Sequence, residues 1–329
     1  MGVVEVSVAI DDYEHVRALA DGDVRVPGAT FTFHRLPTPS EIFHRQFRFG
    51  EWDVSEMSLA LYCGMRSAGD ERFVAIPVFP LRRFRHSCVF VAASSPLRRL
   101  EDLAGRRVGV PEWGQTAGVW VRGILEDDHG VGLGDVEWVQ GGVAEVGRPE
   151  HLHLALPPGV RLGRVADAPL IDKLLAGELD AIVSALFPQE LLASGRCRPL
   201  LADWRAAELD YYDRTGIVPI MHLVVVRREV HEAHRWLAKE LVKAFDAAKA
   251  RALERLCSAQ ASLYPVPHLA EVASELVGRF GGDPWPYGLE ANRHALATFL
   301  RYAAAQGLLE RELGPEELFA PSSIDVFHA

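Results

Sequence analysis

Apolar and polar positions alternate over residues 3–10, and the spacing turns helical over 13–20. The same change of period recurs down the chain. Residues 31–36 predict a second strand, Pro39-Ser40-Glu41 a helix start and Trp52-Asp53-Val54 a short strand. A helix from Leu59 and a buried strand over 73–79 follow. After the apolar run Cys88-Val89-Phe90-Val91-Ala92-Ala93 a second series begins, with strands predicted over 107–110, 136–139 and 181–183 and helices over 115–127 and 169–175. Residues 141–165 lose periodicity among Gly, Pro and His and predict a loop or β-excursion. The last third predicts a strand over 217–226, one long helix over 229–257, and helices over 269–280 and 290–306.

Strands alternating with helices predict an α/β fold. The strand-like segments near 88–93 and 221–227 bracket the middle series, so the chain is expected to leave one domain, build another and return. Residues 1–90 with 222–329 would form lobe I, and 91–221 lobe II, with two hinge strands and a central cleft between them. Ligands favour such clefts, outside the carboxyl ends of strands.

Composition narrows the partner. With 49% hydrophobic residues among 329, the chain can bury a sizeable core. A net charge of -10 argues against nonspecific nucleic-acid or anionic-membrane binding and favours a small molecule. Cys63, Cys88, Cys197 and Cys257 are scattered, which predicts a reduced, cytoplasmic protein. The first twelve residues carry acids where an export signal would be apolar, and no run approaches the ~18 apolar residues of a membrane span. Assembly as monomer or homo-oligomer stays open.

Three clusters are candidates for chemistry. In Arg82-Arg83-Phe84-Arg85-His86-Ser87, strand-end Arg82 and Arg85 suit bidentate carboxylate recognition, and His86 titrates near neutral pH; the alternative is a solvated basic turn. Val110-Pro111-Glu112-Trp113-Gly114-Gln115-Thr116 is a strand, a turn and a helix start whose free N–H groups favour an anion. Gln115 and Thr116 as a plain helix cap is the competing reading. Glu56 could donate a proton or accept a substrate hydroxyl, with Ser58 beside it as ligand or cap. His222 stands alone in an apolar run, the usual place of a core histidine. His151-Leu152-His153 lacks a third ligand at a recognised spacing, so no metal is expected. A nucleophile elbow, a Walker loop and a zinc-protease motif are absent, and the four lysines lie in charge-rich helices unsuited to a pyridoxal cofactor.

Five segments resemble the 4,5-dihydroxyphthalate decarboxylase family in order along nearly the whole chain. They are Trp52-Asp53-Val54-Ser55-Glu56-Met57-Ser58, Ile76-Pro77-Val78-Phe79-Pro80 through Ser87, Val108-Gly109-Val110-Pro111 through Leu125, Thr215-Gly216-Ile217-Val218-Pro219-Ile220-Met221-His222, and Asp283-Pro284-Trp285-Pro286-Tyr287-Gly288. The resemblance implies a two-lobed, type II periplasmic-binding-protein-like fold. It also implies a cofactor-independent carboxy-lyase that removes carbon dioxide from a dihydroxylated aromatic diacid. Glu14, His15, Leu81 and Gly114 depart from the family pattern beside the expected cleft. The chemistry requires ring protonation at the carbon that loses its carboxylate. On this reading Arg82, Arg85, Trp113, Gln115, Thr116 and Ser58 bind the aromatic carboxylate, His86 or His222 supplies the proton, and Glu56 accepts a bond from a ring hydroxyl. A noncatalytic solute-binding protein for an aromatic carboxylate and a same-fold enzyme for another small acid are the alternatives.

Overall fold

The computed structural model describes residues 2–147, 150–260, 262–324 and 326. Its first sheet contains β1 (Val4–Ala9), β2 (Ala29–His34), β3 (Val54–Ser58), β4 (Phe73–Ile76) and the late strand β11 (His222–Arg227), in the order β2-β1-β3-β11-β4. β1 pairs in parallel with β2 and β3, whereas β11 runs antiparallel between β3 and β4. β4 is buried at every position, as expected for a strand covered on both faces. The helices α1 (Glu14–Ala20), α2 (Pro39–Phe49) and α3 (Leu59–Ser67) connect these strands. α2 starts on Thr38, whose side chain accepts the Glu41 N–H, and stops at Gly50 in the left-handed region, φ 59°.

The second sheet takes β5 (Val89–Ala92), β6 (Arg107–Val110), β7 (Glu137–Gln140), β8 (Arg161–Arg164), β9 (Ala181–Val183) and β10 (Cys197–Pro199), ordered β10-β5-β9-β6-β7-β8. Its helices are α4 (Thr116–His129), α5 (Leu170–Leu175), α6 (Gln189–Ala193) and α7 (Trp204–Thr215). The chain returns through β11 to α8 (Arg228–Ala233), α9 (Arg235–Leu256), α10 (Leu269–Arg279), α11 (Arg293–Ala305) and α12 (Pro321–Ile324). All four cysteines are free. Among the described residues no helix is long and apolar enough to cross a membrane.

The hinge differs from the sequence expectation. β5 belongs wholly to the second sheet and β11 to the first, so neither spans the lobes. The chain crosses at residues 81–83 and 219–222, which lie antiparallel. Arg82 bridges Ile220, Arg83 N–H donates to Pro219 O at 2.9 Å, and Met221 N–H donates to Leu81 O at 2.9 Å. The first crossing therefore precedes Val89, inside the segment expected for lobe I. The C-terminal part is not confined to lobe I either, because the Trp120 ring on α4 packs on Phe299 and Tyr302 of α11. The long helix expected over 229–257 breaks at His234 (φ -136°, ψ 60°), giving α8 and α9. Residues 217–221 carry only the hinge bridge, and the irregular segment 141–165 closes in β8.

Candidate functional site

A cleft of about 890 Å³ opens between the two sheets, where the carboxyl ends of β3, β6 and β9 meet. Ser58, Gln115, Thr116 and His222 line it. Ser58 caps α3 from the first sheet and Thr116 begins α4 on the second. Their hydroxyls are 2.8 Å apart, and Thr116 Oγ1 also accepts the Ala60 N–H at 3.1 Å. The two lobes therefore touch at the cleft floor.

His222 is the first residue of β11, and its register against Ser58 on β3 puts it at the cleft end of the sheet. Its Nδ1 lies 2.5 Å from Glu56 Oε1. Glu56 is fully buried and also accepts from the Tyr13 hydroxyl at 2.7 Å and from the Asp11 N–H at 3.1 Å. Burial, then the adjacent carboxylate, hold the Tyr13 hydroxyl well above its ordinary range, so it stays a donor. With the Glu56 carboxylate facing Nδ1, that nitrogen carries the proton and Nε2 is left on the cleft side without a protein partner among the described residues. Phe43 of α2 meets the ring edge-on at 4.7 Å, and Phe43 and Phe47 give the cleft a flat apolar wall.

The start of α4 supplies the anion contacts. The N–H groups of Thr116, Ala117 and Gly118 have no acceptor among the described residues, and the first N–H of the helix to find one is that of Val119, bonded to Gln115 O at 3.0 Å. Such a helix start favours a carboxylate. No arginine or lysine lines this cleft among the described residues. Its titratable lining is Glu112, Glu145, Glu150, His44, His151 and His222.

Several sequence candidates sit elsewhere. Arg82 is buried at the hinge, where it donates to Pro286 O at 2.7 Å, to Val218 O and to Asn292 Oδ1, and it faces away from the cleft. Arg85 is buried against Met221 Sδ and Cys88 Sγ and does not reach the cleft surface. His86 packs on Tyr211 in the second lobe, 5.2 Å between ring centres. Trp113 is core: its Nε1–H donates to Gln306 O at 2.9 Å, and Arg122 stacks on it at 3.9 Å. Glu56 does not line the cleft and orients His222 instead of meeting a substrate hydroxyl. Each of these side chains is consumed by contacts within the protein, most of them from residues distant in sequence. Of the histidine pair in 151–153, His151 faces His44 across the cleft at 5.7 Å, and among the described residues no group of three His, Cys, Asp or Glu could hold a metal ion.

Tyr13 and, on α2, Phe43 and Phe47 are additions. Tyr13 follows the carboxyl end of β1, the one sequence signal that could have marked it.

Burial drives His15 and His86 down to about 4. Their unfolded value is near 6.5, so between pH 6.5 and 4 the unfolded chain binds more protons than the folded one. Stability is then complete above pH 6.5 and falls as pH drops toward 4, by up to roughly 3 kcal/mol per histidine. Urea midpoints measured across that range should decline less steeply in His86→Gln than in the parent. Equal slopes would show that His86 does not titrate as its burial dictates.

No family model matches the chain. It is similar to the 4,5-dihydroxyphthalate decarboxylase of Comamonas testosteroni, 39% identical over 329 residues and covering 99% of each chain. A second relative, the 4,5-dihydroxyphthalate decarboxylase of Pseudomonas putida, is 40% identical over 189 residues, 57% of this chain and 73% of that protein. In fold the chain is similar to the periplasmic aliphatic sulphonate-binding protein of Escherichia coli, with TM-score 0.56, 12% identity and 99% of each chain covered.

Proposed function

The chain belongs to the 4,5-dihydroxyphthalate decarboxylase family, and from that premise we propose that it releases carbon dioxide from 4,5-dihydroxyphthalate in the cleft, with His222 as proton donor. It is a carboxy-lyase on the type II periplasmic-binding-protein fold. The observation that carries the site reading is the buried Tyr13–Glu56–His222 chain, which ends on a histidine nitrogen facing the cleft.

The reaction is an exchange of carbon dioxide for a proton on an aromatic carbon. Each carboxylate of the substrate has a hydroxyl para to it, and that hydroxyl feeds electron density to the carbon bearing the carboxylate. Nε2–H of the imidazolium delivers its proton there. The C–C bond then breaks, its electron pair restores the aromatic ring, and neutral carbon dioxide leaves. His222 regains its proton from solvent. Glu56 holds the ring in one orientation by its bond to Nδ1, and Tyr13 and the Asp11 N–H hold Glu56.

The free N–H groups that open α4 take the carboxylate that stays, and the Phe43 and Phe47 wall takes the flat ring. Residues of both lobes touch the substrate on this reading, so the lobes close for the chemistry and open for release.

The test is turnover of 4,5-dihydroxyphthalate by the purified protein, with and without chelator, followed by mass. One equivalent each of carbon dioxide and 3,4-dihydroxybenzoate is expected. Binding of the diacid without product would overturn the reading in favour of a solute-binding role.

A further inference from the structure

A second recess, about 230 Å³, lies behind the hinge and apart from the cleft. Three parts of the chain wall it. The first crossing gives Arg83 and Phe84, the second lobe gives Trp204 and Glu208 on α7, and the segment after α10 gives Phe280 and Trp285. Trp285 is fixed to the first lobe through its Nε1–H, which donates to Phe79 O at 2.9 Å.

Two opposite charges border the recess with unused bonding capacity. Glu208 is 7% exposed, and its Oε1 accepts both the Ser87 N–H at 3.1 Å and the Ser87 hydroxyl at 2.8 Å. Its Oε2 has no partner among the described residues. Arg83 is tied to the hinge by its backbone, while its exposed guanidinium makes no ion pair or hydrogen bond among the described residues. A carboxylate oxygen at the recess with no donor of its own can accept one, and an exposed guanidinium without an ion pair can take an anion. The four aromatic side chains between them ask for a flat apolar body.

We propose that this recess is a second binding site, for a hydroxylated aromatic monocarboxylate, and that its occupant restrains the hinge. The carboxylate meets Arg83, the ring lies among Phe84, Trp204, Phe280 and Trp285, and a ring hydroxyl donates to Glu208 Oε2. A diacid fits less well. Arg82 also borders the recess, but its terminal nitrogens are occupied by Val218, Pro286 and Asn292, so a second carboxylate would face Glu208 or the aromatic walls. Loss of one carbon dioxide from a dihydroxyphthalate leaves a monoacid of this class, so, resting on the decarboxylase reading, the occupant is the reaction product. Because the recess joins both lobes and a hinge crossing, a bound product opposes the opening and closing that turnover needs.

Calorimetric titration with 3,4-dihydroxybenzoate tests the proposal. The parent protein is expected to bind two equivalents per chain. Arg83→Ala is expected to keep the cleft equivalent and weaken the other at least tenfold, with kcat and KM for the diacid unchanged at low product. Glu208→Gln, which retains an acceptor for Ser87, should weaken the same equivalent. One equivalent in the parent, or two that Arg83→Ala leaves unaltered, would overturn the second site. A parent that turns over the diacid yet binds one monoacid defeats only this proposal. A parent that binds two monoacids without turnover defeats the decarboxylase reading and the product identity, while the site itself stands.

Discussion

Replacing His222 by Gln is expected to lower kcat by roughly 10²- to 10⁴-fold, with a much smaller change in KM. Glutamine preserves a polar group opposite Glu56 but has no nitrogen that delivers a proton at neutral pH. In the proposed binding mode the substrate is held by other atoms, the opening N–H groups of α4 and the wall of α2, so affinity should survive. Glu56→Gln is the companion. It is nearly isosteric and keeps Oε1 as an acceptor for Tyr13, but it removes the charge behind Nδ1 and frees the imidazole tautomer, so kcat should fall again while the fold persists. Steady-state kinetics with the diacid, together with the pH profile of kcat, check both. A His222→Gln enzyme within threefold of the parent would remove the histidine from the chemistry and point to another acid.

The rhythm of strands and helices was legible because each sheet is built from short runs whose burial follows their own composition, as in Phe73–Ile76 and Ala181–Val183. The Pro39-Ser40-Glu41 helix start is likewise local, and the structure sets it on a Thr38 cap where turn chemistry puts it. α7 was not, because its sequence WRAAELDYYDRT buries only Glu208 and Tyr211 and so lacks an apolar stripe. The site divides the same way. Ser58, Gln115 and Thr116 announce themselves as caps at strand ends, and the fold brings their helix starts together. The partnership of Glu56 with His222 spans 166 residues and depends on β11 inserting antiparallel beside β3, a register that no local pattern carries. Arg82 and Arg85 mislead for the converse reason. An arginine after a strand reads as a ligand, yet carbonyls from 218 and 286 and the sulfur of Met221 arrive from far down the chain to occupy them, with the neighbouring Cys88 sulfur beside Arg85.

Gly123→Ala should destabilise the protein by about 1–3 kcal/mol, although helix propensity alone favours alanine by up to about 1 kcal/mol. Gly123 lies in the middle of α4, and a Cβ there would stand 2.2 Å from Cδ2 of Tyr302 and 2.3 Å from its Cγ. The ring has little room to yield. It is 4% exposed, its hydroxyl donates to Asp127 at 2.7 Å, and it meets Trp120 edge-on at 5.7 Å. Relief must therefore come from separating α4 and α11. That separation reaches the cleft, because Gln306 at the end of α11 accepts from Arg122 at 2.7 Å and donates to Val119 O at 2.9 Å within α4, while its carbonyl holds Trp113 just before the helix. The α4 start that opens on the cleft is thus braced from behind, and if it holds the substrate as proposed, the substitution should raise KM more than it lowers kcat. Urea midpoints in a two-by-two cycle separate the terms. Gly123→Ala should lower the midpoint in the parent and leave it unchanged or raise it in a Tyr302→Ala background, where the ring is gone and only propensity remains. A higher midpoint for Gly123→Ala in the parent would mean that the two helices are not packed this closely, and the brace on α4 would lose its basis.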